Sequence, residues 1–581
     1  MPVTAPRRVR GLLPVLATAV GAAVLLAGCT GDRPAERTPR AVKGQLSVLS
    51  LGPVATWDPQ RIAMSQDIAV AGRLFVRTLT AYPAGGAPGA AAQVVGDLAT
   101  DAGTSDDTMT VWSFTLRDGL TWQDGSPITC EDVRYGVSRS FAEPFATEGL
   151  NYAQAYLRIP RRADGRSTYS GPFGASTRAE QAAFDKAVTC QGRKVTFWLT
   201  TPTPDFDRIV ALPSFAPVKK DADQGKTGKY AVFSSGPYQL KGAWDAGTGG
   251  TFVRNPKWDK ASDPIRKALP ESVRYIEGTE SQTAVQQVVN DDGEHRQSVT
   301  LDSAPPAMQQ HVLSDPALRN RSVNPYGQFV DYLVPNLRSK VMADEKVRRA
   351  FAMATNRDGY VTALGGTSAA EPAFSLLGPV VPGHRGSDVL GAGSAGNPQE
   401  AMSLLRESGL TLPVPVRVTY RSTPIADKAM AALANGWQEA GFDVKLQPVT
   451  KDYFTTISTS QEAARADVFW ANWAPAWPSG STVLRPLFDS RINLVGGSNG
   501  RDVGGFDDKR VNDEMTRLSQ LRDPGARAMG WADLDAALAK RAAFIGLAQH
   551  RELYVAGSDV TGLAANESLG GFVDLAGMGV R

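Results

Sequence analysis

The chain has 581 residues, and 62 Lys+Arg against 59 Asp+Glu leave a formal charge of +3. That surplus sits in the first 28 residues, which hold Arg7, Arg8 and Arg10 and no acid, so the remaining 59 bases face 59 acids. A charge-balanced body excludes broad phosphate capture, and this length exceeds one ordinary core, so two or more packed lobes are expected and a nucleic-acid partner is not.

An apolar run, Gly11 to Ala27, follows the arginines and ends in Leu26-Ala27-Gly28-Cys29. A basic start, an apolar stretch and small residues before a cleavage point make a signal peptide. Leu-Ala-Gly-Cys also matches a bacterial lipobox, which makes Cys29 the lipidated first residue of the mature chain. Residues 1–28 are thus read as a lipoprotein signal peptide and 29–44 as a polar, proline-containing tether. An exported chain permits disulfides. Cys130 and Cys190 either pair, closing a loop of about 60 residues worth roughly 4 kcal/mol, or remain buried thiols. His295, His311, His384 and His550 are scattered without ligand spacing, so neither metal nor cofactor is expected.

Gln45–Leu51 reads as a strand closed by Gly52-Pro53, and residues 66–80 place apolar side chains at helical spacing. In Val111–Arg117, Trp112, Phe114 and Leu116 alternate with polar or smaller residues, which predicts a strand with one buried face. Asp118-Gly119 and Asp124-Gly125 predict tight turns around a short strand, Leu120–Trp122. Thr129 then stands where a helix N-cap belongs, with Glu131 and Asp132 in the first turn.

The stretch WSFTLRDGLTWQDGSPITCEDVRYGVSRSF (112–141) resembles the signature of family 5 extracellular solute-binding proteins, the receptors of oligopeptide, dipeptide and nickel ABC importers. TWDPQR (56–61), SSGPYQL (234–240), FVRNPKWD (252–259), ADEKVRRAFAMATNRDGYV (343–361) and VFWANWAPAWPSGSTVLRPLF (468–488) resemble further family segments, in the family's order. The resemblance implies an α/β fold, a two-lobed clamp with mixed sheets. Lobe I, discontinuous and carrying an extra subdomain, would take 45–302 and the returning 544–581; lobe II would take 303–543. It further implies a lipid-anchored, extracytoplasmic, monomeric receptor that captures a peptide or peptide-like solute, passes it to a permease and ATPase complex, and catalyses nothing. A sensory or adhesive lipoprotein on the same clamp, or a binder of a non-peptide solute, stays open beside it.

A solute held between lobes needs large apolar contacts and a few placed polar groups. Trp473 and Trp477 supply the first in the late tryptophan-rich segment, and Trp57 follows the first strand. Tyr420 and Arg421 end a strand predicted at 415–420, where an arginine could meet a carboxylate. In peptide-binding relatives an aspartate in the tryptophan-rich segment meets the peptide's ammonium; aligned on Trp473, the position here is Ala476. Without that acid, either another carboxylate meets a buried ammonium or the solute presents no free α-amine.

Two motifs are set aside. Gly391–Gly396 matches G-x-G-x-x-G without the preceding strand a dinucleotide site requires. Gly496–Gly500 matches G-x-S-x-G, but no helix pattern follows Ser498, as a nucleophile elbow would need.

Overall fold

The computed structural model describes residues 44–85, 93–459, 464–494 and 499–581. The expected signal peptide, Cys29 with most of its tether, and Ser498 lie outside the described residues.

Two mixed sheets organise the described chain. Gln45–Leu49 lies inside a five-stranded sheet, parallel to Ser272–Ile276 on one side and to Ser298–Thr300 on the other. Its last four residues are all buried, as expected of a strand covered on both faces. Gly249–Arg254 and Tyr238–Leu240 extend the sheet antiparallel. The second sheet has six strands in the order Ala370–Pro372, Ile545–Arg551, Tyr326–Pro335, Val468–Trp473, Val414–Arg421 and Phe442–Val449. The helix Pro424–Glu439 joins the last two strands as a parallel crossover. Its Trp437 stacks on Phe351 with ring centroids 4.3 Å apart in that lobe's core.

The block that carried the strand, turn and cap pattern forms a subdomain of the first lobe. Val111–Thr115 pairs with Lys194–Trp198 in a four-stranded sheet. Trp112, Phe114 and Leu116 are buried as their alternation requires. Leu120–Trp122 is not a strand but a bridge, Thr121 to Pro127, around a turn in which Gly125 takes φ 86°. Thr129 caps the helix Cys130–Arg139: Asp132 N–H donates to Thr129 Oγ1 at 3.3 Å, and Thr129 N–H donates to Asp132 Oδ2 at 2.7 Å. Cys130 and Cys190 are disulfide-bonded and tie this helix to the strand Val188–Gln191.

The chain passes between sheets later than the lobe bounds expected after 302 and 543. Helices Pro306–Ser314 and Pro316–Arg319 place Val312 and Leu318 against Leu49, Val285 and Val288 of the first lobe. Only Tyr326–Pro335 enters the six-stranded sheet. On the return, Ile545–Arg551, read from sequence as part of lobe I, is paired within the six-stranded sheet. The chain rejoins the first lobe at Tyr554–Val555, which pairs with Ser322–Val323. An apolar run such as Phe544–Ala548 suits a central strand of either sheet, so its sequence carries no address. At the crossing, Asn324 Nδ2 donates to Glu552 O at 3.0 Å, and Arg551 Nε donates to Asn324 Oδ1 at 3.0 Å.

Candidate functional site

A cavity of about 90 Å³ lies where segments of both lobes meet. The helix Ser65–Leu74 supplies one wall through Ser65, Ile68, Ala69, Gly72 and Arg73. Those positions recur three and four apart, so they share one face of the helix. Phe75 ends this helix, short of the 66–80 range that apolar spacing predicts. Tyr82, Arg208, Leu212 and Pro213 continue the first-lobe wall; the second lobe contributes Gln328, Pro475, Ala476 and Trp477.

The charge pattern of this wall is specific. Arg73, Arg208 and Arg266 line it and, among the described residues, no carboxylate does. Each arginine is matched from behind. Arg73 grips Asp574 through Nε to Oδ1 at 2.8 Å and Nη2 to Oδ2 at 3.0 Å. Arg266 reaches Asp97 at 2.8 Å and Asp263 at 3.0 Å, and Arg208 reaches Asp205 at 2.9 Å. Burial pushes the Asp574 carboxyl up, but Arg73 and donated hydrogen bonds outweigh it and hold the group below the usual carboxylate range. The arginines of this wall are therefore neutralised by carboxylates one layer deeper, and Arg73 and Arg266 are almost fully buried. The Tyr82 hydroxyl is buried and has no hydrogen-bond partner among the described residues, which leaves one donor and acceptor beside the cavity unused.

The structure separates the residues singled out from sequence. Ala476, which is exposed, and Trp477 stand in the cavity wall. Trp477 crosses into the first lobe: its ring is buried, meets Tyr152 edge-on at 5.3 Å, and joins the subdomain core with Phe206 and Phe215. Trp473 ends its strand half-buried against the second-lobe core, and its indole N–H donates to Thr482 O at 2.9 Å. It does not line the cavity. Trp470 donates to the Tyr360 hydroxyl at 2.9 Å and packs between the two second-lobe cores. Tyr420 is buried and donates to Asp427 Oδ1 at 2.8 Å, while Arg421 is exposed at the strand's end; neither reaches the cavity.

Trp57 lies elsewhere. It is buried among Trp244, Phe75 and Tyr275, at centroid distances of 5.1, 5.4 and 5.8 Å. It backs a larger cavity of about 550 Å³ formed wholly from segments of the first lobe. An occupant there would touch one lobe only and could not favour one lobe arrangement over another by direct contact. The cavity between lobes is therefore the candidate site. The glycines of 391–396 hold φ of 72°, 74° and 77° at Gly391, Gly393 and Gly396, and the first two donate backbone N–H groups to Asp388 at 3.1 and 2.7 Å. The protein's own carboxylate fills that turn. Among the described residues no group of three or more His, Cys, Asp or Glu could hold a metal ion.

Sequence reasoning did not find Asp205, Ser479, Ser481 and Arg527. Asp205 is buried and accepts from Ser479 Oγ at 2.7 Å, from Arg527 Nη2 at 3.1 Å and from Ser481 Oγ at 3.3 Å. Against the upward push of burial, Arg208 and Arg527 hold it below the usual carboxylate range.

The model of bacterial extracellular solute-binding proteins, family 5, matches residues 93–494. The chain belongs to this family. Among family 5 relatives, the periplasmic murein peptide-binding protein MppA of Escherichia coli K12 is 26% identical over 421 residues, 68% of this chain and 70% of its own. The periplasmic oligopeptide-binding protein OppA of Salmonella typhimurium is 25% identical over 400 residues, 66% of this chain and 67% of its own. Among solved structures, the clavulanic acid biosynthesis oligopeptide binding protein 2 superposes with a TM-score of 0.81 at 26% identity, covering 94% of this chain and 96% of that one. The two-lobed clamp is thus the family 5 fold.

Proposed function

We propose that this family 5 protein is the extracytoplasmic receptor of an ABC importer, held at the outer face of the cytoplasmic membrane by lipid on Cys29. It captures a peptide or peptide-like solute between its lobes and delivers it to a permease and ATPase complex, acting as a monomer and catalysing nothing. The relatives named above, murein peptide and oligopeptide binders, support the solute class. The crossing segments at Asn324-Pro325 and Arg551-Glu552 serve as the hinge, because both chains pass between sheets there within hydrogen-bond reach of each other.

The observation that carries the finer reading is the cavity wall itself: Ala476 is a methyl, and, among the described residues, no carboxylate lines the space. A desolvated ammonium needs a paired acid, whereas Arg73 and Arg208 are already paired with Asp574 and Asp205 and the unused Tyr82 hydroxyl can serve a neutral carbonyl oxygen. The preferred solute is therefore a peptide-like compound whose amino end is blocked, cyclic or absent. Titration calorimetry with N-acetyl-trialanine and with free trialanine tests this. Tighter binding of the acetylated compound is expected; preference for free trialanine would overturn the reading. Mass spectrometry of small molecules carried by natively purified protein would name the solute.

A further inference from the structure

The carboxylate of Asp205 comes from the first lobe, immediately before the short helix Phe206–Ile209. Four of the donors placed on it belong to the second lobe: Ser479, Ser481, the Trp477 indole N–H at 3.4 Å, and Arg527. Arg527 lies on the helix Pro524–Lys540, and its other guanidinium nitrogen donates to Leu521 O at 2.7 Å, so the second lobe aims it before contact. Both partners are almost fully buried, with side-chain exposures of 8% and 6%. A second pair between the lobes, Arg522 to Asp107 at 2.6 Å, is largely exposed and adds little. The segment fixed by Asp205 runs from Trp477 to Ser481 and continues directly from Pro475 and Ala476, the second-lobe wall of the cavity.

We propose that Asp205 is a latch between the lobes, engaged by Arg527, Ser479 and Ser481, which seats the Ala476–Trp477 wall on the cavity and supplies the charge pairing of closure from the protein itself. Closure then requires no charged group on the solute; the solute selects the closed form by shape and neutral hydrogen bonds. Asp205 and Arg527 are positioning residues that act through the wall they seat. This rests on the cleft reading above, since the latch matters to binding only if the solute sits between the lobes.

The test uses the full-length chain and the variants Asp205→Asn, which keeps the shape and removes the charge, and Arg527→Gln, on the opposite lobe. Small-angle X-ray scattering reads the radius of gyration, and circular dichroism confirms that each variant is folded. Both variants are expected to expand to the same extent, and the double variant to expand no further than either single one. Affinity for N-acetyl-trialanine is expected to fall roughly tenfold or more, with the ratio of acetylated to free trialanine unchanged. An unchanged radius of gyration in folded Arg527→Gln would overturn the latch, even if Asp205→Asn failed to fold. If neither tripeptide binds wild type, the peptide reading fails, while the scattering comparison still decides the latch.

Discussion

Trp477 of the second lobe stands edge-on to Tyr152 of the first, with ring centroids 5.3 Å apart at 72°. An indole carried by one lobe thus completes the aromatic core of the other. Truncation to Trp477→Ala should remove this contact and leave a hole beside Tyr152 in the subdomain core. Buried tryptophan truncation costs about 3–5 kcal/mol. Because the cost falls on the contact between lobes, weakened binding of N-acetyl-trialanine is expected to exceed the loss in thermal stability. Parallel calorimetry and thermal melts check this. A large drop in melting temperature with unchanged affinity would place Trp477 in the fold alone.

Ala476→Asp should place an acid in the wall that Arg73 and Arg208 share. The expected outcome is a shift in preference of roughly tenfold toward free trialanine over its N-acetyl form, which corresponds to about 1.4 kcal/mol. The measurement is the ratio of the two dissociation constants. A ratio equal to that of wild type would mean that the amino end of a peptide does not approach residue 476.

The Cys130–Cys190 bond spans a sequence separation of 60. In the loop-entropy model, opening it costs roughly 4 kcal/mol. The Cys130→Ser, Cys190→Ser protein should melt at lower temperature, with the loss confined to the subdomain that holds the helix Cys130–Arg139. Hydrogen exchange should rise there first and leave the six-stranded sheet protected. Uniform loss of protection would show instead that the subdomain and the six-stranded sheet unfold as one unit.

Asp67 sits on the buried side of the helix that lines the cavity, and burial first, then the charge of Glu277, raises its pKa to about 7. A carboxyl that binds its proton more tightly when folded makes the unfolded chain release protons first as pH rises from about 4 to 7. Stability therefore falls across that window, by up to about 1.4 kcal/mol per unit for one group. Asp67→Asn, neutral at every pH, should flatten this part of the stability curve and be more stable than wild type near pH 8. Chemical denaturation at pH 4.5, 6 and 8 checks the sign; a wild-type curve that rises over this range would refute it.

What could be read from sequence followed local rules. The alternation of Trp112, Phe114 and Leu116 and the Thr129 cap were legible because period and capping depend on neighbours in the chain. The family segments pointed to the two-lobed fold, and Ala476 was read as a departure from the resemblance by its place three residues after Trp473. The sequence also held the charge balance of the body and, with three arginines ahead of an apolar run, the expectation of export. It could not say whether Cys130 and Cys190 meet, since that depends on where a helix and a strand 60 positions apart come to lie.

The tertiary structure decided which of the candidate side chains share a space. Trp57, Trp473 and Tyr420 looked equivalent to Trp477 as candidate aromatic binders, yet the first fills a first-lobe core and the other two spend their polar atoms within the second lobe. An aromatic residue has the same composition signal whether its face meets a solute or a neighbour. Asp205 was invisible for a related reason. Beside Arg208, three positions on, its partners are carried by the second lobe, 272 to 322 positions away in the chain, so the groups that settle a buried charge need not stand near it in sequence.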